Sequence, residues 1–176
     1  MFMNTLKSLF VSLVVLVLIS SCRGDENPYD PQAQLEIDVE AIQNYLIENN
    51  IQAEIDVSGV HYRITRPTSG AIPEIGDIVD VEYELYNFNG DLLDTSIEQV
   101  ARDGGIFQPG RPYQPFEVAL GTNGVIPGFE RAILLLQEGA KGTFYIPSVL
   151  AYQNTGAGRI QPNENLIFII ELVRVD

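Results

Sequence analysis

Residues 115–133 read PFEVALGTNGVIPGFERAI, and the rest of the fold is organised around them. Pro127 opens a short helix that runs to Leu136 and is closed by Glu138-Gly139. Proline is tolerated at a first helical position and glycine just past the last, because each suits the free backbone groups there. The next piece, EGAKGTFYIPSVLAY at 138–152, contains a strand over Ala140–Pro147. The last, PNENLIFIIELVRV at 162–175, contains a strand over Asn165–Arg174 that is apolar at almost every position and so belongs in the middle of a sheet. With VDVEYELYNFNGDLLDTS at 79–96, these Gly- and Pro-punctuated pieces bring aromatic and β-branched residues toward one pocket.

Upstream, strands also dominate from Ala53 onward. Val60–Ile64 alternates apolar and polar, and so in large part does Ile78–Leu85. Residues 67–73 and 74–77 read as turns, and Asn89-Gly90 is a hairpin signal between Tyr83–Phe88 and Leu92-Leu93. A sheet with one short helix against it is an α+β arrangement. Ahead of it, Leu35, Val39, Ile42 and Leu46 recur at spacings of four, three and four, with acidic and amide residues between them. That is an amphipathic helix over Gln34–Asn50, stopped by Asn49-Asn50. It is expected to dock on its own domain; a dimerisation or envelope-partner helix is the alternative use. His61 is the one histidine, sits in an alternating strand without a cysteine nearby, and suggests no metal site.

The N-terminus follows a different logic. Lys7 precedes an apolar run from Leu9 to Ile19, and Ser20-Ser21-Cys22 comes directly after it. This is a secretory signal with a processing site, too short for a spanning helix. Ile19-Ser20-Ser21-Cys22 resembles the bacterial lipobox, in which the cysteine is lipidated and becomes the mature N-terminus. Cys22 is the chain's single cysteine, so no intramolecular disulfide can form. The expected organisation is a signal peptide at 1–21, a flexible tether at 22–34, a helical extension at 35–57 and a folded domain at 58–176. Acyl chains on Cys22 would hold the domain at a membrane without crossing it. Arg23 is not the acidic residue associated with inner-membrane retention, so the outer membrane, facing periplasm or surface, is the expected location.

Charge excludes further classes. Ten bases against 24 acids give −14, and loss of Lys7 with the signal leaves nine bases and −15. Such a body repels nucleic acid and anionic lipid surfaces. With one histidine, a cysteine committed to lipid and no nucleophile elbow, a hydrolase or metalloenzyme finds no support.

The order Y…DTS…PF…VIPGF…IP…AY…LIF, over Ser58–Val175, resembles the FKBP-type peptidyl-prolyl isomerase domain. The resemblance implies an antiparallel twisted β-sheet wrapped around one short α-helix, here with an N-terminal helical extension. It implies a pocket in which Tyr83, Phe116 and Phe168 are walls and Phe129 is the floor. The Val125-Ile126 pair would present the Ile126 N–H to a substrate carbonyl, and Tyr152 its hydroxyl to a second. Asp94 would polarise the site, and Leu93 and Ile160 would complete the wall. No cofactor is implied.

Departures from the family pattern fall at four places, one of them Gln161-Pro162, where a double proline usually precedes the last strand. Leu93 stands where an aromatic is common, and Gln153 where a glycine follows the Ala-Tyr pair. Ile97–Gln114 is longer than the minimal domain by about a dozen residues and suits a mobile flap; Arg102 or Arg111 would reach Asp94 from it. The implied activity is isomerisation of X-Pro bonds in exported polypeptides. The alternative is a binding or chaperone module of a cell-envelope assembly, with little isomerase activity.

Overall fold

A computed structural model describes residues 29–176. The expected signal peptide at 1–21, the expected lipidation at Cys22 and the expected tether up to residue 28 lie outside the described residues.

One seven-stranded antiparallel sheet forms the frame. Its strands are β1 (Glu54–Ile55), β2 (His61–Arg66), β3 (Ile78–Asn87), β4 (Leu92–Thr95), β5 (Phe116–Ala119), β6 (Lys141–Ile146) and β7 (Leu166–Val175). The lateral order is β1-β2-β6-β7-β3-β4. The outer edge of β3 is shared: Ile78–Val81 pairs with β5 and Glu84–Tyr86 with β4. Register shifts at Ile64/Arg66, Asp80/Val81 and Leu85/Tyr86 each add local twist.

The nearly unbroken apolar run of β7 follows from cover on both faces. Leu166, Phe168, Ile170 and Leu172 join the main core with Phe129, Ala132 and Ile133 of the short helix α3 (Pro127–Ile133). Ile167 faces the other way, into a second cluster with Tyr145 and with Ile42 and Leu46 of helix α1 (Pro31–Glu48). The N-terminal helix therefore docks on its own domain. A sheet covered on one face alone would have alternated instead.

α1 begins earlier than its apolar stripe suggests. Asp30 Oδ1 accepts from the N–H of Gln32 at 2.9 Å and of Ala33 at 3.3 Å, and Pro31 is the first helical residue. A side-chain cap followed by proline starts a helix without any apolar residue. Residues 31–34 are thus helical and not tether. The extension at 35–57 also contains strand β1, which adds to the edge of β2.

Residues 97–114 hold a further element that apolar periodicity does not reveal, helix α2 (Glu98–Asp103). Its Ala101 is fully buried, and a Cβ at Gly104 would come within 2.3 Å of the Leu92 side chain. The first half of the insertion is therefore a helix packed on β4. No helix among the described residues is long and apolar enough to cross a membrane.

Candidate functional site

A cavity of about 580 Å³ opens between β3, β5, α3 and the start of β7. It is lined by Tyr83, Asp94, Phe116, Val125, Ile126, Phe129, Tyr152 and Phe168, with Leu85, Gly124 and Pro127. Tyr83 is the hub of its aromatic wall. Its ring centroid lies 6.2 Å from Phe116, 5.8 Å from Phe129 and 6.3 Å from Phe168, the first two edge-on. Phe129 and Phe168 are 5.0 Å apart. Such tilted pairs suit the ring quadrupoles and make a rigid apolar surface.

β3 and β4 fix Tyr83 at both ends. The Ser96 hydroxyl accepts from the Tyr83 N–H at 2.9 Å, and Thr95 Oγ1 donates to the Tyr83 carbonyl at 2.7 Å. The phenol donates to Asp94 Oδ2 at 2.6 Å. Arg111, from the insertion, donates through Nη1 to Asp94 Oδ1 at 2.6 Å and through Nη2 to the Thr95 carbonyl at 3.1 Å. Arg102 turns away: it pairs with Glu98 and lies 3.5 Å above the Phe107 ring. Of the two arginines, Arg111 is the one that reaches the pocket.

These contacts set the charges. Burial pushes the Asp94 carboxyl up, but the bonds from Arg111 and Tyr83 and the guanidinium charge outweigh it and hold it below the usual carboxylate range. Burial, then the bond to Asp94, pushes the Tyr83 phenol well above its ordinary value. Burial and the Asp94 charge also raise Tyr152. Both phenols thus stay protonated as donors, and Asp94 stays ionised beside Arg111.

The loop before α3 presents the backbone donor. Glu130 Oε2 accepts from the Gly121 N–H at 2.7 Å and anchors the loop to the helix. The Ile126 carbonyl accepts from the N–H of Phe129 at 3.0 Å and of Glu130 at 3.2 Å, as an N-terminal cap does. Its own N–H has no partner among the described residues and belongs to a residue on the cavity wall. Gly128 must be glycine, since a Cβ there would lie 2.2 Å from Ile146 Cγ2. That contact seats α3 against β6 and the 3-10 turn Ser148–Leu150, which leads into Tyr152.

Two smaller clefts flank the cavity. One, of about 320 Å³, shares Tyr83 and Phe116 and is walled by Arg111, Pro112 and Gln114. The other, of about 300 Å³, shares Leu85, Asp94 and Tyr152 and holds Leu93 and Ile160 beside Arg159. Leu93 and Ile160, expected on the main wall, sit one cleft away. Leu85 takes the place on the wall, because it lies two residues from Tyr83 on β3 and so faces the same side. That alternation is the signal in the chain that points to it.

A concave, aromatic-walled cavity with an unpaired backbone donor and hydroxyl on its rim defines a domain built to grip an apolar group carrying carbonyls. Residues 70–173 match the family described as FKBP-type peptidyl-prolyl cis-trans isomerase, and the chain belongs to that family. It is 40% identical over 119 residues to the probable FKBP-type peptidyl-prolyl cis-trans isomerase FkpA of Neisseria meningitidis, covering 67% of this chain and 38% of that protein. It is 34% identical over 134 residues to the FKBP-type 22 kDa peptidyl-prolyl cis-trans isomerase of Escherichia coli, covering 74% of this chain and 58% of that one. The crystal structure of FkpA from Escherichia coli superposes with a TM-score of 0.61 at 26% identity, over 82% of this chain and 64% of that one. The chain spans less than two thirds of each of these relatives.

Proposed function

We propose that this protein is a peptidyl-prolyl cis–trans isomerase that acts on X-Pro bonds of exported polypeptides and assists their folding. The observation that carries the reading is the pairing of an aromatic-walled cavity with two donors free of internal partners among the described residues, the Ile126 N–H and the Tyr152 hydroxyl.

Rotation about an X-Pro bond breaks no covalent bond. Its barrier is the lost amide resonance, and uncatalysed exchange takes tens of seconds or longer. A catalyst must therefore hold the twisted amide better than either planar isomer. A twisted amide has a less polar carbonyl, so an apolar enclosure favours it over water. Tyr83, Phe116, Phe129 and Phe168 supply that enclosure around the proline ring. The Ile126 N–H and the Tyr152 hydroxyl hold carbonyls on either side, and the flanking clefts receive the neighbouring residues. No proton moves, so Asp94 serves through its field and through the placement of Tyr83.

The same reading puts the protein at a membrane, outer rather than inner, through lipid on Cys22. Support for this is the run Ile19-Ser20-Ser21-Cys22 after an apolar stretch. Mass spectrometry of the mature N-terminus tests it: an unmodified Cys22, or cleavage elsewhere, overturns the anchor.

The activity is tested by NMR exchange spectroscopy on short X-Pro peptides. Exchange faster than the uncatalysed rate establishes the isomerase. No acceleration by the folded protein, whatever residue precedes proline, makes the pocket a binding site of a chaperone or envelope module instead.

A further inference from the structure

We propose that Asp38 and Ser148 form a positioning pair through which helix α1 holds Tyr152 in place, so that the N-terminal extension is a working part of the site. This rests on the isomerase reading above. α1 lies wholly outside the stretch matched to the family, residues 70–173, yet it sends a carboxylate into the interior beside that stretch. Asp38 is 1% exposed. Its Oδ2 accepts from Ser148 Oγ at 2.7 Å and from the Val149 N–H at 3.2 Å, and its Oδ1 from Gln34 Nε2 at 2.8 Å. Asn165 closes the ring, donating to the Asp38 carbonyl at 3.3 Å and accepting from the Ser148 N–H at 2.9 Å.

Ser148 is the joint between this network and the pocket. While its side chain faces α1, its carbonyl accepts from the N–H of Ala151 at 3.0 Å and of Gln153 at 2.9 Å. Those two amides bracket Tyr152. Two hydrogen bonds in series therefore connect a carboxylate on α1 to the backbone on both sides of the pocket tyrosine. The Tyr152 hydroxyl has no hydrogen-bond partner among the described residues, so its position depends on packing and on the backbone beneath it.

The choice of a carboxylate at position 38 has a physical meaning. α1 already covers Tyr145 and Ile167 with Ile42 and Leu46, and an apolar side chain at 38 would have extended that contact without desolvation cost. Apolar contacts tolerate sliding and rotation, whereas a buried carboxylate held across the contact by Ser148 Oγ and the Val149 N–H admits one register. What Asp38 adds is direction, and the element it directs is the turn before Tyr152.

The test compares Asp38→Leu, Ser148→Ala and the double variant, each with Tyr152 and with Tyr152→Phe. Asp38→Leu keeps an apolar filling, Ser148→Ala leaves the Val149 N–H and Gln34 Nε2 on the carboxylate, and the melting temperature of each identifies the folded variants that are assayed. Each single change is expected to lower kcat/KM on X-Pro peptides about fivefold, and the double variant no further, since both cut one path. With Tyr152→Phe already present, both changes are expected to have no further effect. An equal loss in that background overturns the proposal, as does unchanged turnover in either folded variant. Amide hydrogen exchange gives a readout that does not depend on isomerase activity. Faster exchange at Ala151 and Gln153, with β7 unchanged, supports the positioning path even if the wild type proves inactive; unchanged exchange at both amides overturns it.

Discussion

Arg111 reaches back across seventeen residues of chain to Asp94, and its Nη1 meets Oδ1 at 2.6 Å at the edge of the pocket. The insertion, expected as a loose flap, thus ends by delivering a charge to the site. Tyr83 takes the other carboxylate oxygen and accepts from Arg111 Nη2 at 3.4 Å, so cation, anion and phenol close a triangle on the wall.

Replacing Arg111 with Met should leave Asp94 half-buried with the Tyr83 bond alone. The Asp94 pKa should rise, since burial raises it and the bond from Arg111 is the largest of the influences that hold it down. Both side chains are about a third exposed, so the stability loss should be near ~1 kcal/mol. Turnover should fall about fivefold, as Asp94, the partner of Tyr83, loses the bond that anchors its other oxygen. A carboxyl-carbon NMR titration of Asp94 beside the exchange assay checks both; an unmoved Asp94 pKa would show that the pair does not persist in solution.

Tyr152→Phe is the cleanest probe of the pocket. It removes one hydroxyl that has no internal partner among the described residues, so the melting temperature should hold while turnover drops roughly three- to tenfold, the worth of one hydrogen bond in the transition state. Phe129→Ala is a poorer probe: Phe129 is 4% exposed within the main core, and its truncation should cost about 3–5 kcal/mol of stability. Turnover unchanged in Tyr152→Phe would remove the hydroxyl from the mechanism.

Stability should fall as pH drops below the ordinary histidine value of 6.5. Burial lowers the His61 pKa, with the Gly59 carbonyl 3.2 Å from Nδ1 partly opposing it. Between the unfolded and folded values the unfolded chain binds more protons, so acid favours unfolding there. Melting temperatures from pH 7.5 to 5 should slope downward in the wild type and flatten in His61→Gln. An equal slope in both would assign the effect to carboxylates.

Gln153, directly after Tyr152, has a φ of 52°, a left-handed conformation that glycine adopts freely. For a side chain with a Cβ this costs about 1 kcal/mol, part of which glycine gives back through its unfolded-state freedom. Gln153→Gly should therefore raise stability slightly, by about 0.5 kcal/mol in urea denaturation. A clear loss would mean that the bond from Gln153 Nε2 to the Val149 carbonyl, at 3.4 Å, matters more than the backbone.

Patterns local to a few residues are legible in the chain itself. The all-apolar Leu166–Ile170 run puts β7 inside the sheet, Asn89-Gly90 marks the hairpin, and Pro127-Gly128 marks the start of α3. Each depends on backbone chemistry or periodicity over a short span. The cap Asp30-Pro31 is equally local but carries no apolar signal, so apolar spacing alone starts the helix three residues late. α2 escapes the same reading for the same reason: six residues with one buried alanine make no periodic stripe.

By itself the sequence determined the α+β class, the central place of β7 and the hairpin, because alternation and turn chemistry act over short range; the set of aromatic residues at the cavity came from the resemblance of the whole ordered pattern to the family. Tertiary structure alone decided which arginine reaches Asp94, why Leu85 and not Leu93 lines the main wall, and that Asp38 of α1 is bonded to the turn before Tyr152. Those outcomes join residues that lie far apart in the chain. They depend on strand twist, on the register of one element against another and on which polar group is left to satisfy which. No periodicity in the chain records such choices, since they are made only when the surfaces meet.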